Sequence, residues 1–504
     1  MTIRLKLLLA ASVIALGIAQ PTSAVFAQTL KVALGDEPLS FDPIATSDNG
    51  SIWTQLLIFD TLIRPDKAGT GLEPGLAASW EVSPDGLTLT FTLRDAKFSD
   101  GTAVTPEDVV FSLKRAGVDE KSQWKRFFNP ITAFKSEGNK VILTLEQPFT
   151  PAFNNLALFA AAILPEKLVT EQGDAFFEHP VGSGPFMLSG WTRGSKVELT
   201  KNPHYWQEGK PAVETVELDI VAEPTARVLR LEAGEADVIL DPPLNQIADL
   251  SSKDGITVGS AIPYRSDFVL LNNTRPPFDN VDVRQALNYA VDKDQLVKGV
   301  LFDKGKVAAT AMPVMAYADE SLKPYPYDPA KAKELLAKAG LADGFSTKLL
   351  VDSGNAAHRN VAVALQAMLG QVGVKAEIQM IEGGTMWTTT KAGEYDMALS
   401  FATSDTVDPD QLIGFLAVNP ERANAYHTQW QNTHLNDLYA KERATVNGPE
   451  RGAMFKEMVE VFKEGAPMVF LYHPASNWAN LNKVKGFEIL PTSNFRLEDV
   501  TISE

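Results

Sequence analysis

The sequence predicts an α/β protein built on mixed sheets, and three observations lead there. From Ser346 onward, strand-like and helix-like patterns alternate. Leu349 to Val351 reads as a strand; Val361, Leu365, Met368 and Val372 mark one face of a helix closed by Gly373; and Val374 to Ile381 alternates as a second strand. Thr385 to Ala392 follows as a shorter helix and Tyr395 to Ala402 as an apolar third strand. Such alternation implies right-handed crossovers and a parallel sheet. The second observation is the period of two in Leu87-Thr-Leu-Thr-Phe-Thr-Leu93, which with Leu76 to Val82 and the Pro84-Asp-Gly86 turn predicts a half-buried hairpin. The third is size: 504 residues, 45% of them hydrophobic, can bury large cores, and the length suggests about three domains.

In chain order, Arg4 and Lys6 precede the apolar or small run Leu7 to Ala19, Pro21 breaks it, and Val25-Phe26-Ala27 offers small residues where a signal peptidase reads. The run is shorter than the roughly 20 residues a bilayer span needs. Residues 1–27 are therefore expected to be a cleavable secretion signal, with the mature chain starting near Gln28. Losing Arg4 and Lys6 would take the net charge from −17 to −19. A surface of that sign disfavours nucleic acid and anionic lipid, whose binding depends on Lys and Arg neutralising phosphates. The absence of cysteine excludes disulfides, thiolate chemistry and anchoring through a lipidated cysteine.

Leu30 to Leu34, ended by Gly35, reads as the first strand. Thr105 is placed to cap a helix with Pro106 at its first position and Glu107 and Asp108 suited to its dipole. Val283, Ala286, Leu287, Ala290 and Val291 fall on one face of another helix. A third is framed by Asp328 as cap, Pro329 and Gly340, with Ala332, Leu335, Leu336 and Ala339 inward. Pro474 to Glu504 returns to strand-and-turn character.

Several blocks along this path resemble one family. Pro180-Val-Gly-Ser-Gly-Pro-Phe186, leading through a strand into Lys201-Asn-Pro-His-Tyr-Trp206, is similar to the Gly-Thr/Ser-Gly-Pro-Phe and Asn-Pro-x-Tyr-Trp turns of the extracytoplasmic solute-binding proteins of the peptide/nickel type, family 5. Leu76 to Leu113 resembles a second signature of that family, Asp282 to Asp294 a third, and Asn494 to Val500 its closing motif. The resemblance implies a two-lobed periplasmic-binding-protein fold of type II, in the large cluster with an extra subdomain. On that reading residues 28–270 and 475–504 form lobe I, with the subdomain at about 61–180, and residues 271–474 form lobe II. The chain is expected to cross between them near Phe268 to Asn273 and near Tyr472 to Asn477, two segments that make a hinge.

Arg359 follows the first strand of the alternating unit and Asp405 follows the third, so both are expected at the carboxyl edge of one sheet, where ligands bind in such folds. The resemblance adds roles: in dipeptide binders of the family, an arginine at the place of Arg359 receives the ligand carboxylate, and an aspartate before Asp-Pro-Asp holds the α-ammonium. Asp405 matches the latter, with Asp408 as its rival. A cationic fork and a carboxylate at fixed separation suit a zwitterion and measure its length. This chain departs from the peptide binders in having Asp352-Ser-Gly-Asn-Ala-Ala-His358 in place of a Pro- and Asn-rich loop, and Gly383 where an aromatic is common. Trp387 and the segment Tyr426-His427-Thr-Gln-Trp430 are further candidates, and Ser40, Phe41 and Asp42 are placed to line the first lobe's side.

Enzyme signatures are poorly met. Gly182-Ser-Gly184 lacks the glycine two residues before serine that a nucleophile elbow needs. The six histidines never take a zincin spacing, and residues 405–410 lack the central glycine and terminal glutamate of an EF-hand. No phosphate-binding glycine loop occurs. The expectation is a monomeric, non-enzymatic periplasmic binding protein, without cofactor or metal, that captures a short peptide or peptide-like zwitterion for the transmembrane subunits of an ABC permease. The alternatives are a metal chelate, opine or oligosaccharide on the same scaffold, for which His358 or His427 could serve a nickel ligand, and a secreted hydrolase.

Overall fold

The computed structural model describes residues 28–418 and 425–503. The expected secretion signal, residues 1–27, lies outside them. Among the described residues the main strands form a seven-stranded, a six-stranded and a four-stranded sheet.

The seven-stranded sheet runs in the order Ile256–Ala261, Ser476–Leu481, Val238–Leu240, Thr29–Leu34, Thr215–Ile220, Lys196–Lys201, Phe186–Thr192. Thr29–Leu34 is parallel to both its neighbours, whereas the remaining pairs are antiparallel, so the sheet is mixed. Leu30, Val32 and Leu34 from alternate positions enter one core with Phe186, Leu199 and Leu218; Ala33 points to the other face with Val228 and Leu231. This alternation is the strand period of two at work. The four-stranded antiparallel sheet, Ala77–Val82, Thr88–Leu93, Lys140–Leu145 and Ile131–Glu137, is covered by the helix Pro106–Val118, whose Val109, Leu113 and Ala116 are buried against it. Thr105 and Asp108 form a reciprocal capping box at that helix's start.

The six-stranded sheet has the order Gly305–Val307, Met468–Pro474, Arg265–Leu271, Met397–Thr403, Phe345–Asp352, Val374–Ile381. The alternating unit is parallel, as its crossovers require, but Met397–Thr403 also pairs antiparallel with Arg265–Leu271. The helix Ala356–Gln371 packs Val361, Leu365 and Met368 into the core beneath it.

The first crossing between the large sheets differs from the expected position. Phe268 to Leu271 lies in the middle of the second sheet, paired on both sides, and the chain passes over at Ile262–Tyr264. The apolar run Phe268-Val-Leu-Leu271 is buried on both faces, so it belongs to a central strand and not to a linker. The return occurs at Ala475, between Met468–Pro474 and Ser476–Leu481.

The Gly182-Ser-Gly-Pro185 turn closes tightly on the end of the helix Asn49–Ile58. Gly184 N donates to Ile58 O at 2.9 Å, Ser99 N donates to Gly182 O at 2.8 Å, and a Cβ on Gly182 would stand 2.0 Å from Ile58 O. Ser183 is fully buried, a turn residue without access to any substrate. At the far end of the same signature the Trp206 indole donates to Asp60 Oδ2 at 3.0 Å, just beyond that helix. The two motifs thus lock one loop of the first lobe, Ile58 to Asp60.

Candidate functional site

A cavity of about 510 Å³ opens between the lobes. The second lobe supplies most of its wall, from several elements. Met397–Thr403 contributes Leu399 to Thr403, the loop and helix beyond it give Asp405, Gln411, Leu412 and Phe415, the end of Phe345–Asp352 gives Asp352, and the helix starting after Asn355 gives His358. The short helix Gly383–Lys391 adds Met386, Trp387 and Thr390. The first lobe reaches in with Ser47, Trp124 and Arg126. Asp405, Gln411 and His358 sit beyond the carboxyl ends of the parallel strands, where ligands bind in such folds, whereas Leu399 to Thr403 still pair with Arg265–Leu271.

Asp405 is the acidic group expected there. Its backbone N–H donates to Gln411 Oε1 at 3.0 Å and its Oδ2 accepts from Gln411 Nε2 at 3.3 Å. Burial pushes its carboxyl up to about 6 against the effect of that amide, as expected for a carboxylate drawn from water with no cation nearby. Arg126 lines the same cavity from the first lobe. Its guanidinium lies 4.7 Å from the Phe127 ring and 5.5 Å from the Phe415 ring of the second lobe. Among the described residues it makes no ion pair. Desolvation lowers its proton affinity, with Tyr439 and Asp410 acting in the opposite direction. Trp387 is 46% exposed and stands at the wall, edge-on to His427 at 4.5 Å.

Other expected contacts are placed elsewhere. Arg359 is outside the lining; its Nη1 donates to Ser353 O at 2.5 Å, and its neighbour His358 faces the cavity instead. Helical geometry decides this, because successive residues point about 100° apart. His358 is itself fixed from behind, with Nε2 2.9 Å from Asp267 Oδ2. Burial would raise Asp267, but the Arg265 guanidinium at 2.8 Å and His358 hold it down to about 2.

Asp408 turns away into the second lobe. It caps the helix Pro409–Leu416 through Asp410 N, and its carboxylate takes both terminal nitrogens of the fully buried Arg451 at 2.6 and 2.9 Å. His427 lies behind Trp387, its Nδ1 2.8 Å from Thr390 Oγ1, with burial and Lys391 lowering it to about 4. Tyr426, beside it, is the residue of that segment that lines the cavity.

On the first lobe, Phe41 is fully buried 4.4 Å from the Trp191 ring, and the Ser40 hydroxyl accepts from Asp42 N at 3.0 Å. Asp42 forms a bidentate pair with Arg115 at 2.8 and 2.7 Å. These three build the lobe and do not face the cavity. Among the described residues no three His, Cys, Asp or Glu side chains converge as a metal-binding group.

Sequence reasoning missed Arg126, Trp124 and Asp352. Arg126 lies on a four-residue helix with no periodic signal, in a lobe far along the chain from Asp405, so only the docking of the lobes reveals it. Beside the cavity the lobes also touch directly. Thr150 N donates to Arg443 O at 2.8 Å, Thr150 Oγ1 to Thr445 O at 2.7 Å, and Asn154 Nδ2 to Asp408 Oδ2 at 3.3 Å.

Two lobes on separate sheets, enclosing a cavity walled by aromatic groups from both, a guanidinium from the first and carboxyls from the second, define a binding protein for a small polar solute. Comparison with known proteins agrees. Residues 71–423 match the model of bacterial extracellular solute-binding proteins, family 5 Middle, and the chain belongs to that family. It is 32% identical to the glutathione-binding protein GsiB of Escherichia coli O6:K15:H31, over 97% of this chain and 98% of the relative. Among solved structures it is similar to the periplasmic binding protein DppA from Helicobacter pylori in complex with the peptide STSA, with 28% identity and a TM-score of 0.85, covering 95% of this chain and 98% of that one. It is also similar to AgaA from A. tumefaciens R10 in complex with agropinic acid, with 28% identity and a TM-score of 0.83, covering 95% and 99%. The matched relatives are solute-binding proteins, and no helix among the described residues is long and apolar enough to cross a membrane.

Proposed function

We propose that this protein captures a short peptide or peptide-like zwitterion in the periplasm and presents it, enclosed between its lobes, to the transmembrane subunits of an ABC permease. The observation that carries this reading is that one cavity is lined by Arg126 from the first lobe and Asp405 from the second, each without an ion-pair partner among the described residues. A ligand carboxylate would complete the first and an ammonium the second. Arg359, one residue from the cavity-lining His358, would leave Ser353 O to meet a carboxylate at the rim. Trp124, Trp387, Phe401 and Tyr426 supply apolar surface for whatever lies between the charged ends. The glutathione-binding and peptide-bound relatives support this ligand class. Residues 1–27 would direct export, and the absence of cysteine leaves the protein freely diffusing.

Each charge-assisted bond contributes about 1.5 to 3 kcal/mol, which corresponds to about 10- to 150-fold in affinity. Calorimetric titration with glutathione and with Ser-Thr-Ser-Ala should therefore show losses of at least about tenfold for Arg126→Ala and for Asp405→Ala, with unfolding transitions kept. Arg359→Ala should lose less. If both cavity variants bind these zwitterions as the parent does, the two-ended clamp is wrong.

A further inference from the structure

Past Asp405 lies a second, smaller chamber of about 50 Å³, and Asp405 lines both spaces. Apart from Asp405, its charged lining comes from the first lobe: Asp60, Arg64, Arg496 and Glu498. Asp60 is 6% exposed, sits just beyond the helix Asn49–Ile58, and has its Oδ2 bonded to the Trp206 indole at 3.0 Å. The neighbouring guanidinium groups are engaged with other acids. Arg64 pairs with Glu73 at 2.8 Å and Glu498 at 3.1 Å, and Arg496 pairs with Glu73 at 2.8 Å. Among the described residues, neither Asp60 nor Asp405 makes an ion pair. One carboxyl from each lobe therefore opens onto the same small space with its charge uncompensated by contact.

We propose that the ligand's primary ammonium passes Asp405 and enters this chamber, where Asp60 of the first lobe and Asp405 of the second hold it together. This rests on the zwitterion reading above and adds to it a role for the amino end: the free amine by itself bridges the two lobes. The size fits. A water needs about 10 to 15 Å³ of such volume, so the chamber admits an ammonium with about one or two waters and is too small for a ring. Ile52, Leu56, Phe59 and Phe159 give the chamber an apolar side that limits bulk water, and Thr61, Thr492 and Asn494 add uncharged polar groups.

The surroundings also set Asp60's protonation. Burial raises it, the Arg64 and Arg496 charges and the Trp206 bond lower it, Glu498 raises it, and the balance stands at about 7. In the empty protein at neutral pH, Asp60 is then about half protonated, and an arriving ammonium would expel that proton.

The test is calorimetry at pH 7 on the full-length protein with glutathione and N-acetylglutathione, each in buffers of low and high ionisation heat. For glutathione the parent should release about half a proton per ligand and should bind the N-acetyl form at least tenfold more weakly. In Asp60→Asn, which keeps an acceptor for Trp206, proton release should fall to near zero and the preference for the free amine should shrink several-fold. Retention of the full amine preference in Asp60→Asn, or no proton release by the parent on binding glutathione, overturns this inference and leaves the proposed function standing. Failure of the parent to bind glutathione or any free peptide removes the proposed function, and this inference with it.

Discussion

Asp408 offers the sharpest separation of a structural carboxylate from a ligand-binding one, because sequence makes it the rival of Asp405 and the structure buries it under Arg451. Arg451 is wholly inside the second lobe, held by both oxygens of Asp408 and by Glu442 Oε2 at 2.8 Å from Nε. Asp410 nearby is paired with Arg443 at 3.0 Å. Burial and the neighbouring Asp410 raise Glu442. With Glu442 neutral, two arginines face two carboxylates and the cluster balances. Asp408→Ala leaves one buried cation without its main partner, a loss of about 3 to 5 kcal/mol, to which the vacated helix cap adds about 1 kcal/mol. Asp408→Asn keeps the cap and removes only the charge, so comparing the two isolates the electrostatic part. Urea unfolding followed by tryptophan fluorescence should show midpoints lower by about 1 M or more for both variants, given slopes of a few kcal/mol per molar. Titration with glutathione below the transition should show a loss of no more than about tenfold, the share of the inter-lobe bond from Asn154 that Asp408 accepts. A variant that unfolds at the parent's urea midpoint yet has lost ligand would refute the assignment and return Asp408 to the binding site.

Three further outcomes follow from the geometry. Gly182→Ala sets a Cβ 2.0 Å from the Ile58 carbonyl oxygen, so the first lobe should fail to close its turn; soluble yield and near-UV circular dichroism will show it, and a parent-like spectrum would contradict the packing. Asp60 has a folded-state pKa of about 7 against 3.8 as its ordinary value, so the folded protein binds more protons than the unfolded one, and stability falls as pH rises from about 4 to 7; at 1.36 kcal/mol per unit the ceiling is about 4 kcal/mol. Asp60→Asn should accordingly gain more thermal stability at pH 8 than at pH 5, and an equal gain at both would sink the argument. Thr150→Val removes the hydroxyl bond to Thr445 O at 2.7 Å across the lobes; it should weaken ligand binding by up to about tenfold through the closed state alone, and an unchanged dissociation rate in stopped-flow fluorescence would argue against that contact's role.

Local pattern was legible wherever the chain's own periodicity or capping decides the structure. Thr105 with Pro106 and Asp108, Asp328 with Pro329, and the alternating Leu87 to Leu93 all read correctly because a cap or a strand face is set within a few residues. The first inter-lobe crossing was misplaced because a buried central strand and the apolar approach to a hinge look alike in one dimension: Phe268 to Leu271 gives no local sign that a strand lies on each side of it. The exchange of Arg359 for His358 at the cavity has a similar cause. Sequence places both at the first turn of one helix, and only its rotation against the sheet chooses which of them faces inward.

By itself, then, the sequence determined the family, the scaffold turns at Gly182 to Pro185 and Trp206, and Asp405 as a carboxylate at the cavity wall. These depend on short motifs and on the rule that loops beyond parallel strands carry function. The tertiary structure alone decided which charges are free. Asp408, Asp42 and Arg265 find oppositely charged partners 43, 73 and 2 residues away in sequence, whereas Arg126, Asp405 and Asp60 make no ion pair among the described residues. Charge compensation is a property of distance in space, and the cavity exists only where the two lobes meet and bring these groups into one lining.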